Sequence, residues 1–302
     1  MTRSGRFARP PRELWPAPPI PIPRPPLTIL SPRTTDEALA ARAAHPAAVV
    51  VAGGTGVLIE LNRGAEPEAL LDLSRVDGWR AADRDGDALR LGAGVTYTQV
   101  IEQLAGPLPG LALAARTVAS PQIRNRGTLA GALVLADPSG DALAALGAAG
   151  AELELRGPGG ARRVAADAFI TAPGTCVLGR DELLTALHVP VADGPVAYAK
   201  AGARNAMARA VCGVAVALHE AARSVSVCVV GAAPAAVRPR EAEVLVAEAW
   251  DALDDTAVAR FGELVAAAVD PSADARGSAA YRRHAAGVLA RRALRRAWEA
   301  RA

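Results

Sequence analysis

The segment from Val118 to Leu146 constrains this chain more than any other part of its sequence. It reads VASPQIRNRGTLAGALVLADPSGDALAAL, a polar stretch with arginines and asparagine, then a glycine-bearing turn, an Asp-Pro-Ser-Gly-Asp turn and an apolar run. A polar loop with glycines between apolar segments is typical of a site for an elongated, phosphate-containing ligand. Glycines allow close backbone approach, and successive N–H groups bind anions.

A second glycine-rich turn, AGGTG at Ala52–Gly56, follows the strand-like run AAVVVA. It is not a Rossmann fingerprint, because Ile59 stands where a third glycine is required. The chain also has no P-loop, since its only lysine, Lys200, is followed by alanine. Each turn alone is compatible with an ordinary strand-to-helix connection. Together, two separated backbone cradles predict a diphosphate that is held from two sides.

Composition excludes several classes of function. A formal net charge of +3 over 302 residues is too small to indicate nucleic-acid binding, and no apolar run is long enough to span a bilayer. Three cysteines, Cys176, Cys212 and Cys228, cannot supply the four ligands of an iron–sulfur cluster. We expect them to be small buried side chains in a reducing cytoplasm. The four histidines lack ligand spacing, and the N-terminus lacks the apolar core of an export signal.

Short strands alternate with helices from Leu27 onward. Strands are expected in the runs AAVVVA, ALLDLS, LRLGA, AELELRG, ARRVAA and SVSVCVVGAA. Helices are expected at Tyr97–Leu104, Leu111–Val118, Arg240–Trp250, Asp255–Val269 and Ser278–Glu299. A change of composition at Val191–Pro195 predicts a domain boundary. Residues 1–26, rich in proline and arginine, favour an extended tail, either disordered or wrapped on a partner.

Taken in order, these segments resemble the FAD-binding subunit of the molybdenum hydroxylases, the family of xanthine dehydrogenase and carbon monoxide dehydrogenase. The AGGTG turn resembles the AGG turn of that family, and Ser120–Ala132 followed by Asp137–Asp141 resembles its SPQIRN-GTIGGN segment and Pro-Ser-Asp turn. The resemblance continues through the runs LRLGAGVTY, DELLTALHVP, AYAKAGAR, VRPREAEVL and DPSADARGSAAYRRHAAGVLARRALRRA.

This resemblance implies an α+β fold. A two-lobed FAD-binding region of the vanillyl-alcohol-oxidase/p-cresol-methylhydroxylase type would span residues 27–192, and a C-terminal flavoprotein domain with a small antiparallel sheet would span residues 193–302. The implied function is that of an oxidoreductase subunit in a hetero-oligomer with an iron–sulfur subunit and a molybdopterin-binding large subunit. Electrons would pass from the iron–sulfur clusters through FAD to an external acceptor. The cofactor carries the redox chemistry, so no catalytic side chain is expected here.

The implied FAD contacts fall on both glycine-bearing segments. Turn backbone and the Thr128 hydroxyl would meet the diphosphate. Asp141 would bind the ribityl chain, its structural alternative being the cap or first turn of the next helix. Lys200, the only lysine among 34 basic residues, would place a compact cation beside the flavin ring, where negative charge appears on reduction. The expected cofactor-binding residues are Ala52, Gly53, Gly54, Thr55, Gly56, Arg124, Asn125, Thr128, Gly131, Asp141 and Lys200.

Three residues depart from the family pattern. Gly56 stands where an acidic or hydroxyl residue is common, and Ala130 and Ala132 flank Gly131 in place of a GGN or GGD element. Losing one net hydrogen bond costs only about 0.5–1.5 kcal/mol, whereas the Ala130 methyl narrows the approach of a ligand. Two alternatives therefore stay open: a scaffold subunit of the same complex that has lost FAD, and a self-contained flavin oxidoreductase.

Overall fold

The computed structural model describes residues 27–205 and 207–301, so the expected tail at residues 1–26 lies outside the described residues. Helices and strands are mixed, and the expected α+β fold is confirmed. Within the described ranges, no helix combines the length and hydrophobicity needed to cross a membrane. The same ranges contain no group of three or more His, Cys, Asp or Glu side chains that could hold a metal ion.

The first lobe is a small parallel sheet with two helices. Its strands are β1 (Thr28–Leu30), β2 (Val49–Val51) and β3 (Ala69–Asp72), in the spatial order β1-β3-β2. Helix α1 (Thr35–Ala44) begins with a capping box, in which Thr34 and Glu37 satisfy each other's backbone N–H groups. Helix α2 (Val57–Asn62) follows β2 directly, so the AGGTG turn lies at the carboxyl end of a strand.

The second lobe is built on a five-stranded antiparallel sheet. Its strands are β4 (Ala82–Asp85), β5 (Ala88–Gly92), β6 (Glu152–Gly157), β7 (Gly160–Ala165) and β10 (Leu183–Pro190), in the order β4-β5-β10-β6-β7. Five helices connect β5 to β6: α3 (Tyr97–Gln103), α4 (Pro109–Arg116), α5 (Pro121–Arg126), α6 (Leu129–Val134) and α7 (Asp141–Ala148). The short elements α8 (Ala166–Phe169), β8 (Ile170–Ala172) and β9 (Thr175–Cys176) precede β10.

The sequence predicted a polar loop after Val118. This prediction is wrong, because the segment forms the short helices α5 and α6. Ser120 caps α5 and Pro121 takes its first position, while Thr128 caps α6. Both caps are side-chain oxygens that accept a backbone N–H three residues later. A helix of six residues is too short to show apolar periodicity, so only its caps identify it.

The C-terminal unit is an antiparallel sheet covered by three helices. Strands β11 (Val196–Gly202), β12 (Ala210–His219) and β13 (Ser224–Val230) pair in that order, followed by α9 (Arg240–Glu248), α10 (Asp255–Ala268) and α11 (Ala279–Glu299). The two faces of this sheet pack into two different hydrophobic cores, so alternate residues along a strand belong to different cores. Val214, Val216 and Val227 pack with the C-terminal helices, whereas Ala215 and Cys228 pack with the second lobe. The sheet therefore joins the two units through a buried face.

Candidate functional site

The AGGTG turn presents backbone N–H groups that find no acceptor in the part of the chain that the structure describes. Gly54 adopts φ +76°, which reverses the chain between β2 and α2 and is available to glycine at little cost. Among the described residues, the N–H groups of Gly53, Gly54 and Thr55 have no hydrogen-bond acceptor. Ala52 and Gly56 flank them, and the whole turn is only half-buried. The turn can therefore receive an anionic group through its backbone.

The two glycine-bearing segments lie in direct contact. A methyl group placed on Gly53 would lie 2.0 Å from the carbonyl oxygen of Arg126 and 3.1 Å from Cα of Gly127. A methyl group on Gly127 would in turn lie 3.5 Å from the Thr55 hydroxyl oxygen. The close backbone approach requires glycine at position 53, whereas the distance from Gly127 to Thr55 is an ordinary contact. The structure thus brings together the two segments that the sequence singled out.

Thr128 and Gly131 form the next part of the site. The Thr128 hydroxyl accepts the Gly131 N–H at 3.0 Å, and Thr128 itself is buried. Its oxygen is therefore committed to the helix cap, while its O–H proton stays available to donate. A methyl group on Gly131 would lie 2.8 Å from that oxygen, so glycine is required for this cap geometry.

Arg124 and Asn125 shape the segment through the chain's own polar groups. The Arg124 guanidinium donates to the carbonyl oxygens of Val118 at 2.8 Å and Ala119 at 3.0 Å. Ala119 adopts φ +39°, a strained conformation for alanine that these contacts help to hold. Asn125 accepts the Thr98 hydroxyl proton at 2.6 Å, which ties α5 to α3. Both residues therefore hold the backbone of this segment in place through contacts within the chain, without a ligand.

Asp141 and Lys200 form an ion pair across the two units. Lys200 Nζ lies 2.9 Å from Asp141 Oδ2, and the two side chains are only 13% and 8% exposed. The ammonium also donates to the carbonyl oxygens of Thr117 at 3.1 Å and Ala208 at 3.0 Å. Asp141 is the first residue of α7, with Gly140 at the cap position. Its first-turn placement complements the helix dipole.

Tyr198 completes this pair and was missed in the sequence. Its hydroxyl donates to Asp141 Oδ1 at 2.5 Å. Burial, and then the negative charge of Asp141, raise the pKa of Tyr198 well above its ordinary value, so the phenol stays protonated and remains a donor. Tyr198 and Lys200 are two residues apart on β11, and this spacing places both on one face of the strand. That period-two relation is the pattern that could have identified Tyr198.

A basic cleft opens beside the ion pair. It has a volume of about 840 Å³ and lies between the α4–α5 connection and the loop after β11. Its lining includes Arg116, Arg124, Lys200 and Arg204, together with Tyr198 and Tyr281. No carboxylate is among the lining residues that the structure describes. A cleft of this size and charge fits an elongated anionic ligand, and it shares Arg124 with the helix that ends at the glycine contact.

The three departures from the family pattern have structural explanations. A methyl group on Gly56 would lie 2.7 Å from Cδ1 of Leu135, so the Leu135 side chain takes the space beside the turn. Ala130 is 5% exposed and belongs to the hydrophobic core, and Ala132 packs partly buried against that core. The Ala130 methyl therefore packs against protein. This placement removes the steric objection to a ligand that approaches α6.

Two sequence families match the chain in succession. The family described as the FAD-binding domain in molybdopterin dehydrogenase matches residues 25–192. The family described as the CO dehydrogenase flavoprotein C-terminal domain matches residues 197–297. The first match includes both glycine-bearing segments and Asp141, and the second includes Lys200 and Tyr198.

Individual proteins agree with these matches. The carbon monoxide dehydrogenase medium chain of Hydrogenophaga pseudoflava is 33% identical over 266 residues, 83% of this chain and 89% of that protein. The xanthine dehydrogenase FAD-binding subunit of Escherichia coli O157:H7 is 37% identical over 163 residues, 52% of this chain and 55% of that protein. The solved carbon monoxide dehydrogenase of Hydrogenophaga pseudoflava that lacks the Mo-pyranopterin moiety superposes with a TM-score of 0.85 at 30% identity. That superposition covers 93% of this chain and all of the matched chain.

Proposed function

The chain belongs to the FAD-binding medium subunits of the molybdenum hydroxylases, the family of carbon monoxide and xanthine dehydrogenases, and from this premise we propose that it transfers electrons from iron–sulfur clusters on a partner subunit to an external acceptor. It is an oxidoreductase subunit, and FAD is its cofactor. We assign the FAD-binding region to residues 27–192 and the C-terminal flavoprotein domain to residues 193–302. The external acceptor would be NAD, oxygen or a quinone.

One observation carries the proposal: Gly53 lies against the Arg126 carbonyl, so the AGGTG turn lies beside the segment that leads to Thr128. The FAD diphosphate would accept hydrogen bonds from Gly53, Gly54 and Thr55, with Ala52 and Gly56 shaping the turn. Thr128 would donate its hydroxyl proton from the other side, and Gly131 keeps the α6 cap in place. Arg124 and Asn125 hold the backbone that carries these groups.

Asp141 and Lys200 would serve the flavin end of the cofactor. A bound flavin supplies an electron-accepting ring whose reduction places negative charge near N1 and O2. Lys200 contributes a fixed positive charge, since its three N–H protons are already donated to Asp141, Thr117 and Ala208. Its effect on the ring is therefore electrostatic unless one of these bonds is exchanged. Asp141 keeps free lone pairs for a ribityl hydroxyl beside its bonds to Tyr198 and Lys200.

The partners follow from the family. We propose an iron–sulfur subunit and a molybdopterin-binding large subunit in a cytoplasmic complex, since three cysteines in the whole chain cannot build an iron–sulfur cluster. The substrate would bind the large subunit. This chain would contribute no acid–base residue to substrate chemistry, because its site is made of backbone groups, one ion pair and a basic cleft.

The test is purification of the full chain and of its complex from the native source. We expect flavin absorption bands, a FAD-to-chain ratio near unity after denaturation, and co-purification of subunits that contain iron and molybdenum. A complex that contains iron and molybdenum but releases no FAD on denaturation would replace this proposal with the FAD-free scaffold. Turnover by the isolated yellow chain, without partners, would favour a self-contained flavin oxidoreductase.

A further inference from the structure

We propose that Arg282 is a positioning residue that holds the Asp137–Asp141 turn, and with it Asp141, in the geometry that FAD requires. The inference rests on the proposed function, in which Asp141 meets the cofactor. Arg282 lies on α11 and its side chain is only 6% exposed. Among the described residues, Arg282 does not line the cleft, and its hydrogen bonds go to residues outside the turn. Its effect is exerted through two hydrogen-bonded paths that end on the turn.

Arg282 joins three separate segments. Its Nη1 donates to the carbonyl oxygen of Val211 at 3.0 Å and also to that of Gly231. Its Nη2 donates to Asp274 Oδ1 at 2.5 Å. These acceptors lie at the start of β12, just after β13 and in the loop before α11. A planar guanidinium satisfies all three at once, which an ammonium on a flexible stem cannot reproduce.

The first path runs through Gly231. Its carbonyl oxygen accepts from Arg282, and its N–H donates to the Pro138 carbonyl oxygen at 2.9 Å. Gly231 adopts φ +75°, and a methyl group there would lie 2.9 Å from the Val211 carbonyl oxygen. Only glycine fits this position without strain. Arg282 therefore fixes the peptide that follows Gly231, and the peptide that precedes Gly231 holds Pro138.

The second path runs through Asp274 and Arg276. Asp274 Oδ2 accepts from Arg276 Nε at 3.0 Å, and Arg276 Nη1 reaches the Ser139 hydroxyl at 3.5 Å. That hydroxyl donates to Asp137 Oδ1 at 2.6 Å. Hydrogen bonds from Arg276 and Arg282 hold the pKa of Asp274 well below its ordinary value, so it stays ionised at neutral pH. Both paths converge on residues 137–139, which only Gly140 separates from Asp141.

Two variants separate positioning from folding. Arg282→Lys keeps the positive charge but removes the planar guanidinium that donates to three acceptors. Arg276→Met removes only the hydrogen bonds of the second path, at a side chain that is 37% exposed. The matched control is Arg283→Met on the same helix, where the side chain is 47% exposed and faces Asp270 at 3.9 Å. The measurements on the full chain are amide hydrogen exchange of the 137–141 segment without FAD, the FAD dissociation constant by fluorescence titration, and the thermal midpoint.

We expect both variants to speed exchange of the turn and to raise the FAD dissociation constant about 3- to 10-fold, the loss of roughly one net hydrogen bond. Arg276→Met should do so with an unchanged thermal midpoint, and the Arg283→Met control should change none of the three. Unchanged exchange in Arg276→Met and Arg282→Lys would overturn the inference while a yellow wild-type chain still supports the proposed function. Faster exchange with unchanged FAD affinity would overturn the positioning role as well. A wild-type chain that binds no FAD would remove the proposed function first and this inference with it.

Discussion

The ammonium of Lys200 lies 2.9 Å from Oδ2 of Asp141, and the pair spans the interface between the C-terminal sheet and the first turn of α7. Neither residue can be replaced alone without leaving a nearly buried charge unpaired. The pair is therefore both a structural link and the proposed electrostatic environment of the flavin. Experiments on Lys200 must separate these two roles.

Lys200→Met alone should lower the free energy of unfolding by about 3–5 kcal/mol, because Asp141 then keeps a buried charge with only Tyr198 as partner. Adding Asp141→Asn should restore at least half of that loss. Denaturant unfolding of the full chain measures both effects. Arg63→Met is the control. Its pair with Glu60 is 71% and 63% exposed, so the change should be within about 1 kcal/mol.

The Lys200 variants also test whether this pair sets the midpoint potential of the flavin. In the holo-complex, Lys200→Met should make the flavin harder to reduce, since a nearby cation stabilises the reduced ring. If the midpoint potential of the Lys200→Met variant equals that of the wild type, the charge of Lys200 does not tune the cofactor. Redox titration followed by flavin absorbance gives the answer.

Gly53→Ala should lower the FAD content of the purified chain at least several-fold. Its methyl group would lie 2.0 Å from the Arg126 carbonyl oxygen, so the two glycine-bearing segments must separate. Gly159→Ala is the control, because Gly159 lies outside both glycine-bearing segments and no atom lies within 4 Å of the added carbon. Equal FAD content in the two variants would show that FAD binding does not depend on the contact between Gly53 and the Arg126 carbonyl.

Gly287→Ala should destabilise the chain by about 1–3 kcal/mol through overpacking at a helix crossing. A methyl group there would lie 2.7 Å from the Gly262 carbonyl oxygen on α10, while one on Gly262 would lie 2.8 Å from the Gly287 carbonyl oxygen. Gly106→Ala, with no atom within 4 Å of the added carbon, should change stability by less than about 0.5 kcal/mol. Thermal unfolding of both variants checks the difference.

Cys212 and Cys228 should resist alkylation in the folded chain at pH 8, whereas the half-buried Cys176 reacts first. Burial raises the pKa of each of the two buried thiols to about 12. Because an unfolded chain loses these protons near pH 9, it binds fewer protons than the folded chain above that pH. The free energy of unfolding should therefore fall as pH rises from about 9 toward 12. Replacing both cysteines with alanine should flatten that slope.

Much of the fold follows from local patterns. The expected strands in AAVVVA, ALLDLS, LRLGA, AELELRG, ARRVAA and SVSVCVVGAA are confirmed, as are all five expected helices. The family resemblance is confirmed as well. Strand β12 was not predicted, because nearly all of its residues are buried and it reads as a continuous apolar run without alternation.

The site was less accessible to sequence reasoning. Lys200 was identified because it is the only lysine of the chain, and the glycines because of their clustering. The bond from Tyr198 to Asp141 joins residues 57 positions apart, and the contact of Gly53 with Arg126 depends on how two lobes pack. Arg282 is one of several arginines in the last helix, yet its side chain is buried among backbone carbonyls. Such contacts are set by tertiary packing, which no local pattern encodes.

The side chains that hold the Asp137–Asp141 turn are synthesised long after the turn itself. Lys200 follows Asp141 by 59 residues, and Arg276 follows Ser139 by 137 residues. A nascent chain that has emerged only through α7 carries the glycines without the side chains that fix Asp141. Loading of the cofactor is therefore expected after translation is complete, as a step of maturation and assembly.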